Sequence, residues 1–416
     1  MSTVTITGNK RLTGTVSVSG AKNAALPILA ATLMLEGESV IENVPNLTDV
    51  TTVIRLLRAL GVRAEYCKNV VKVWNYSKIR HIAPYELITK MRASFFVAGP
   101  VLAKSGLAKI PMPGGCAIGA RPIDIHLKGF EKLGAKVSQE HGFVVLEAKS
   151  LHGNNIHLDF PSVGATENIM MAACFAHGDT TIENAATEPE VVDLANFLNS
   201  AGANITGADS GTISIQGQRT LRGINYSIIP DRIEAGTLII AAAIAGGEVL
   251  VDKINPAHID AMLHKLREMG LEMEIRESGI LVRSNKQLNA IDLETLPYPG
   301  FPTDMQAQFT SLLTLAKGTS VVTETIFENR FMYIPELIRM GAKIKVKGRS
   351  AIVEGVESLS GAPVQCSDLR AGAALWLAGL AAKGNTVIYG NGHVYRGYEL
   401  FQEKLNNLGA SIEKVL

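Results

Sequence analysis

Aromatic residues are scarce in this chain, at 6% of 416 positions, so its core must be built from aliphatic side chains. Cysteine is scarcer still. Cys67, Cys116, Cys174 and Cys366 lie far apart, with no CxxC and no Cys/His pair at metal-binding spacing. A disulfide framework does not suit a chain of this size, and a reducing cytoplasm is the expected compartment. No block of Lys or Arg stands out and the net charge is +1, which excludes nucleic acid as a main partner. The apolar runs are short; Ala373–Ala382, for example, is broken by Gly379, so no membrane insertion is expected. The opening MSTVTITGNK alternates like a strand and lacks the basic-then-apolar order of a signal peptide. No P-loop, GxGxxG or HExxH occurs in a supporting context, so neither a metal nor a cofactor is implied.

What the chain has is glycine, 39 residues of it, and much of it is periodic. An apolar helical stretch ends in a Gly step six times, in RALGVRA, EKLGAKV, NSAGANI, REMGLEM, IRMGAKI and NNLGASI. These glycines are Gly61, Gly134, Gly202, Gly270, Gly341 and Gly409, at intervals of 68 to 73 residues. A second marker keeps the same period. Gly37, Gly106, Gly178, Gly247, Gly318 and Gly384 each precede a short strand-like run such as GESVIEN or GTSVVTE. Each unit then reads as mixed α/β. An amphipathic helix such as VTTVIRLLRALG stops at a Gly that accepts a left-handed cap, a strand follows, and an Ala-rich helix such as AGTLIIAAAIAG reads as buried on most sides. At 416 residues two domains are expected, with three units in each. The break falls near Pro230-Asp231, giving residues 21–229 as one domain and 230–416 plus 1–20 as the other. A ligand cleft between two such lobes is the default site.

A bare repeat scaffold would need no reactive loops, and this chain has several. In SGAKNAALP, Lys22 and Asn23 precede a buried helix, whose start suits an anion. PMPGGCAIGARPIDIH sets Cys116 in a Gly-Gly loop near Arg121, where a cation favours the thiolate. Cys174, within IMMAACFA, reads instead as a packing residue. In FPTDMQAQF, Asp304 reads either as a helix N-cap or as a general base. Arg330 in ETIFENRF, Asp368 and Arg370 in CSDLRAGAAL, Arg396 in YRGYE and Arg92 in KMRAS put further charges into the unit junctions, a pattern that suits a small, highly charged substrate.

At these loops the chain resembles the UDP-N-acetylglucosamine enolpyruvyl transferases. The resemblance runs from SGAKNAALP through GGCAIGARP, SVGATEN, AATEPEVVDLANFL, PDRIEAGT, FPTDMQAQ, ENRFMYIPEL and SDLRAGAAL to RGYE. It implies an inside-out α/β barrel of βαβαββ units, three per domain. It also implies transfer of the enolpyruvyl group of phosphoenolpyruvate to UDP-N-acetylglucosamine, and a monomer as the favoured state. By the same resemblance, Cys116 is the general acid and can attack C2 of phosphoenolpyruvate. Lys22, Arg121 and Arg396 hold phosphate and carboxylate, Asp304 is the base for the sugar hydroxyl, and Asn23 binds near the reacting centre. Arg92, Arg121, Pro122, Ile123, Asp124, Ile125, Ser162, Val163, Gly164 and the backbone of Ile326 line the UDP-sugar site, while Arg330, Asp368 and Arg370 support the charged pocket and lobe closure. Some relatives have a Lys beside the diphosphate where this chain has Phe160, which leaves that contact to the amides of Ser162 to Gly164. The sister activity on shikimate 3-phosphate shares the fold and chemistry; GGCAIGARP and SVGATEN stand against it. A non-catalytic nucleotide-sugar sensor is the alternative of a different class, opposed by the retained Lys22, Cys116, Asp304 and Arg396.

Overall fold

The computed structural model describes residues 3–415 apart from 77, 90, 113–122, 218–219 and 285–286. The six glycines of the first marker all take left-handed backbone, with φ from +88° to +110°. Each follows by two residues the end of an amphipathic helix: Thr48–Ala59, Asp124–Lys132, Pro189–Ser200, Asp260–Glu268, Ile334–Arg339 and Phe401–Asn407. At that position a Cβ would be strained, and the amide of the Gly closes the last turn, as Gly202 N–H does on the carbonyl of Asn199 at 3.0 Å. The second marker is likewise left-handed throughout, with φ from +71° to +118°. It releases the chain from a buried helix into a strand.

The strands form six open sheets among the described residues, and none closes on itself as a barrel. Five of them share one plan, seen in Asn155–His157, Asp179–Glu183, Thr212–Gln216 and Asn204–Thr206; in the sixth, Leu107–Pro111, Phe143–Glu147 and Lys136–Glu140, the parallel strand shrinks to a single bridge, Ile82 to Lys109. The marker strand Asp179–Glu183 pairs in parallel with the strand before the buried helix and antiparallel with Thr212–Gln216, whose other edge takes Asn204–Thr206. In Thr212–Gln216 exposed and buried residues alternate, so one face meets the core and the other meets solvent.

The chain forms two compact units. One holds Pro230–Leu416 with Met1–Ser19; the other holds most of the chain from Gly20 to Ile229. In the first, Thr3–Thr7 sits between Asn385–Tyr389 and Ser411–Val415, and Leu12–Ser17 pairs in parallel with Gly247–Asp252. The amino-terminal strands therefore complete sheets of the carboxy-terminal repeats. In the second, Asn225–Ser227 returns to pair in parallel with Leu35–Glu42 of its first repeat.

Each unit has one core. In the carboxy-terminal unit the helices Arg232–Ala245, Gln306–Leu313 and Leu369–Ala381 pack against one another. Their side chains are buried nearly all round, Arg370 to Leu380 without a break. Small residues make this close packing possible: a Cβ on Gly236 would meet Met305 at 2.9 Å. The helices are thus inside and the sheets outside, and the ends of the helices are where polar side chains collect.

Candidate functional site

In the carboxy-terminal unit, three of the residues singled out in the sequence meet. Asp304 lies in a single 3₁₀ turn, Thr303–Met305, and its side chain caps no helix. Its Oδ1 accepts from Arg330 Nη2 at 2.7 Å and its Oδ2 from Arg370 Nη2 at 2.8 Å. Both arginine side chains are almost fully buried, at 3% and 5% exposure, while that of Asp304 keeps 28%. A carboxylate has about four lone-pair positions, so Asp304 can accept from both arginines at once while still reaching solvent. Burial alone would disfavour the Arg370 charge. The charges of Asp304 and Asp231, with the hydrogen bond to Asp304, oppose that, and Arg370 is held above the usual arginine range.

The surroundings of this cluster are ordered by carboxylates. Asp368 is a helix N-cap: its Oδ1 accepts from the amides of Arg370 at 3.0 Å and Ala371 at 3.1 Å, which fixes where the Arg370 side chain begins. Glu324, 1% exposed, accepts from Thr303 Oγ1 and from the amides of Ile326 and Phe327. It therefore ties the Ile326 backbone to the turn that carries Asp304. Arg396 ends the turn Asn391–Arg396 in a half-buried position.

In the other unit the helix Lys22–Ala31 begins at Lys22, followed by a half-buried Asn23. Lys22 Nζ lies 3.5 Å from Asp49 Oδ2. That helix packs on the 3₁₀ turn Arg92–Val97, which in turn packs on the helix Val163–Ala173. Ser162 caps the latter, its side chain accepting from the amide of Ala165 at 3.4 Å, so Val163 and Gly164 form its first turn. Ile123 and Asp124 open the neighbouring helix, with Ile123 buried, Asp124 exposed and Ile125 packed on the core. A Cβ on Gly164 would meet the His126 ring at 3.3 Å, which brings these two helix starts together. Phe160 is exposed beside Ser162.

Cys116, Arg121 and Pro122 lie outside the described residues, as does the side chain of Arg92. Two of the other cysteines are chemically quiet. Burial pushes the Cys174 and Cys366 thiols up to about 12. Among the described residues no cluster of three or more His, Cys, Asp or Glu could hold a metal, and no helix is long and apolar enough to cross a membrane. An open groove of about 900 Å³ lined by Lys104, Lys136, Lys149, Phe175 and His177 contains none of the candidate catalytic or substrate-binding residues. It is set apart from the chemistry.

Sequence reasoning missed Asp49 beside Lys22, Glu324 beneath Thr303, and Tyr398, whose phenol oxygen accepts from Arg370 Nη1 at 3.1 Å. Asp49 and Glu324 follow Thr or precede Thr in ordinary polar stretches and carry no signal. Tyr398 lay in plain view within YRGYE, where only Arg396 drew attention.

Two interior-helix units built from one repeat, with a carboxylate clasped by two buried arginines, define a class. The chain belongs to the EPSP synthase (3-phosphoshikimate 1-carboxyvinyltransferase) family, whose model matches residues 6–405. It is a transferase of that family. Within it, the chain is 56% identical to UDP-N-acetylglucosamine 1-carboxyvinyltransferase 2 of Carboxydothermus hydrogenoformans, over 99% of this chain and 98% of that one. It is 52% identical to UDP-N-acetylglucosamine 1-carboxyvinyltransferase of Lawsonia intracellularis, over 100% and 99%. Among solved structures it matches the enolpyruvyl transferase NikO of Streptomyces tendae with a TM-score of 0.90, 25% identity and 100% and 99% coverage. EPSP synthase of Acinetobacter baumannii shares the fold, with a TM-score of 0.78 at 20% identity over 100% of both chains.

Proposed function

We propose that this enzyme transfers the enolpyruvyl group of phosphoenolpyruvate to the 3′-hydroxyl of UDP-N-acetylglucosamine and releases phosphate, the first committed step of peptidoglycan synthesis. The reaction belongs in the cytoplasm and serves cell-wall biogenesis, hence cell shape and division. The observation that carries this reading is the partly exposed Asp304 carboxylate fixed by two buried guanidinium groups, in a chain that aligns end to end with carboxyvinyltransferases acting on that sugar nucleotide.

The chemistry needs an acid, a base and an anion clamp. Cys116 delivers a proton to C3 of phosphoenolpyruvate, leaving C2 cationic, and its thiolate can add there. The sugar hydroxyl adds to C2 and gives its proton to Asp304. Loss of a C3 proton and expulsion of phosphate then restore the double bond. Lys22, Arg121 and Arg396 hold the phosphate and carboxylate while C2 is positive. Asn23 sits near the reacting centre. Arg92, Arg121, Pro122, Ile123, Asp124, Ile125, Ser162, Val163, Gly164 and Ile326 bind the sugar nucleotide. Arg330, Asp368 and Arg370 keep the base in place. With Phe160 offering no charge, the helix start at Val163 and Gly164 receives the diphosphate through backbone amides.

The test is phosphate release from phosphoenolpyruvate with UDP-N-acetylglucosamine, with shikimate 3-phosphate and with no acceptor. Release with the sugar nucleotide alone is expected; release with shikimate 3-phosphate instead would overturn the assignment. Cys116→Ser should lose nearly all turnover, and fosfomycin should inactivate the wild type by alkylating this thiol.

A further inference from the structure

Behind Arg370 the interior holds a polar chain that the reaction does not itself call for. Arg370 Nη1 donates to the Tyr398 phenol oxygen at 3.1 Å, on the side away from Asp304. The same oxygen lies 3.1 Å from Gln308 Nε2 and 3.0 Å from Thr237 Oγ1. Tyr398 is 1% exposed, and Thr237 and Gln308 are wholly buried. The guanidinium carbon also stands 5.5 Å from the centroid of the Tyr398 ring.

The proton positions in this chain follow from counting. Thr237 has one hydroxyl proton, and it goes to the carbonyl of Ile233 at 2.8 Å. Towards Tyr398, Thr237 is therefore an acceptor, and the phenol donates to it. Both phenol lone pairs are then turned to the remaining donors, Gln308 Nε2 and Arg370 Nη1. Burial raises the phenol pKa, so Tyr398 keeps its proton and this direction holds at working pH. Every hydrogen-bonding position of the phenol is filled, while Gln308 Oε1 stays buried without a hydrogen-bond partner. A buried phenol bonded on all sides holds its neighbours in place.

Resting on the reading of Asp304 as the base, we propose that Tyr398 is a positioning residue for the transfer reaction. Through its phenol oxygen it fixes the Arg370 guanidinium, and through Arg370 the orientation and basicity of Asp304. The two arginines on Asp304 are not equivalent. Arg330 reaches Asp304 and the carbonyl of Thr303 through the same Nη2 and leaves Nε buried without a partner. Arg370 is braced from behind by the phenol, so it sets the geometry. The other charges bearing on the cluster are Asp231, which acts on both Arg370 and Tyr398, Asp368 at the helix start and Glu324 beneath Thr303. None of them contacts the phenol oxygen by a hydrogen bond among the described residues.

Tyr398→Phe removes the acceptor and keeps the ring. A loosened Arg370 stabilises the Asp304 carboxylate less, so the Asp304 pKa rises. The expected result is a kcat lowered roughly tenfold, KM for both substrates kept, and the acid limb of the kcat/KM profile displaced to higher pH. An unmoved acid limb, with or without a loss of rate, overturns the inference. If Tyr398→Phe does not fold, Thr237→Val takes its place: it removes the acceptor of the phenol proton and should displace the limb in the same direction by less, and an unmoved limb again overturns the inference. Asp304→Asn separates the two ideas. Near-normal transfer by Asp304→Asn brings down the base assignment and this inference together. An inactive Asp304→Asn beside a Tyr398→Phe with the wild-type profile brings down the inference alone.

Discussion

Lys22 Nζ lies 3.5 Å from Asp49 Oδ2, with the two side chains 12% and 6% exposed. The contact is long for a hydrogen bond, yet both charges are largely removed from water, so their main relation is compensation of charge. A phosphate bound at Lys22 would take over part of that compensation.

Asp49→Asn should therefore lower stability by roughly 2 kcal/mol. That is below the range of about 3–5 kcal/mol for breaking a fully buried pair, because Lys22 keeps some exposure. Saturating phosphoenolpyruvate should then raise the Tm of the variant more than that of the wild type, since the anion supplies the missing negative charge. Thermal melts of both proteins with and without the substrate check this. Equal increments would show that Lys22 does not meet the phosphate.

Asp304→Ala should be costly for the fold as well as for turnover. It leaves the guanidinium groups of Arg330 and Arg370, both nearly buried, facing each other without a carboxylate. A loss of about 3–5 kcal/mol in urea unfolding is expected. Adding Arg370→Met to Asp304→Ala should recover part of it, because one of the two uncompensated charges is then gone. A double variant no more stable than Asp304→Ala would mean that the arginines do not repel.

These pairs also mark how far the sequence could be read. The repeat was legible because each unit solves one local problem, the end of a helix, with one residue type at one position. Gly134 and Gly341, with φ of +91° and +95°, do the same thing in different units. Asp304 was legible as a charged residue in a turn, but not as the partner of Arg370 66 positions away. That pairing is set by how three interior helices pack, and no local pattern encodes it. The reading of Asp304 as an N-cap fails for this reason: its carboxylate has two cations in reach, which compete better than backbone amides. Asp368, with the same bland alternative open to it, does cap its helix. Tyr398 was not legible as a partner of Arg370 because its contact spans 28 positions and no local pattern in YRGYE encodes it.

The contribution of Asp193 to stability should fall as pH rises through the acid range. The residue is 2% exposed, and burial, aided by Glu190 and opposed by bonds from Tyr226 and Ile229, pushes its carboxyl up to about 6 from 3.8. The folded state then binds more protons than the unfolded state between those values. The contribution is complete below about pH 3.8 and lost as pH climbs to about 6. Asp193→Asn cannot ionise, so its stability relative to wild type should improve by roughly 2 kcal/mol between pH 4 and pH 8. Any fixed penalty for the altered bond to Ile229 cancels from that difference. A difference that does not change with pH would place the Asp193 carboxyl near its ordinary value.

Two marker glycines that look alike in the sequence should respond differently to an added methyl group. Gly202 and Gly247 have φ of +110° and +118°, so Ala is strained at either. A Cβ on Gly202 meets nothing within 4 Å, whereas one on Gly247 would lie 2.1 Å from the carbonyl oxygen of Leu12. That oxygen belongs to the strand Leu12–Ser17, which pairs with Gly247–Asp252 and carries the amino-terminal segment in its sheet. Gly202→Ala therefore pays for backbone conformation alone, about 1–2 kcal/mol. Gly247→Ala must also push back a paired strand, and should exceed about 4 kcal/mol or fail to yield folded protein. Urea unfolding of the two variants side by side decides it: equal losses would mean that the strand Leu12–Ser17 is not held against Gly247 in solution.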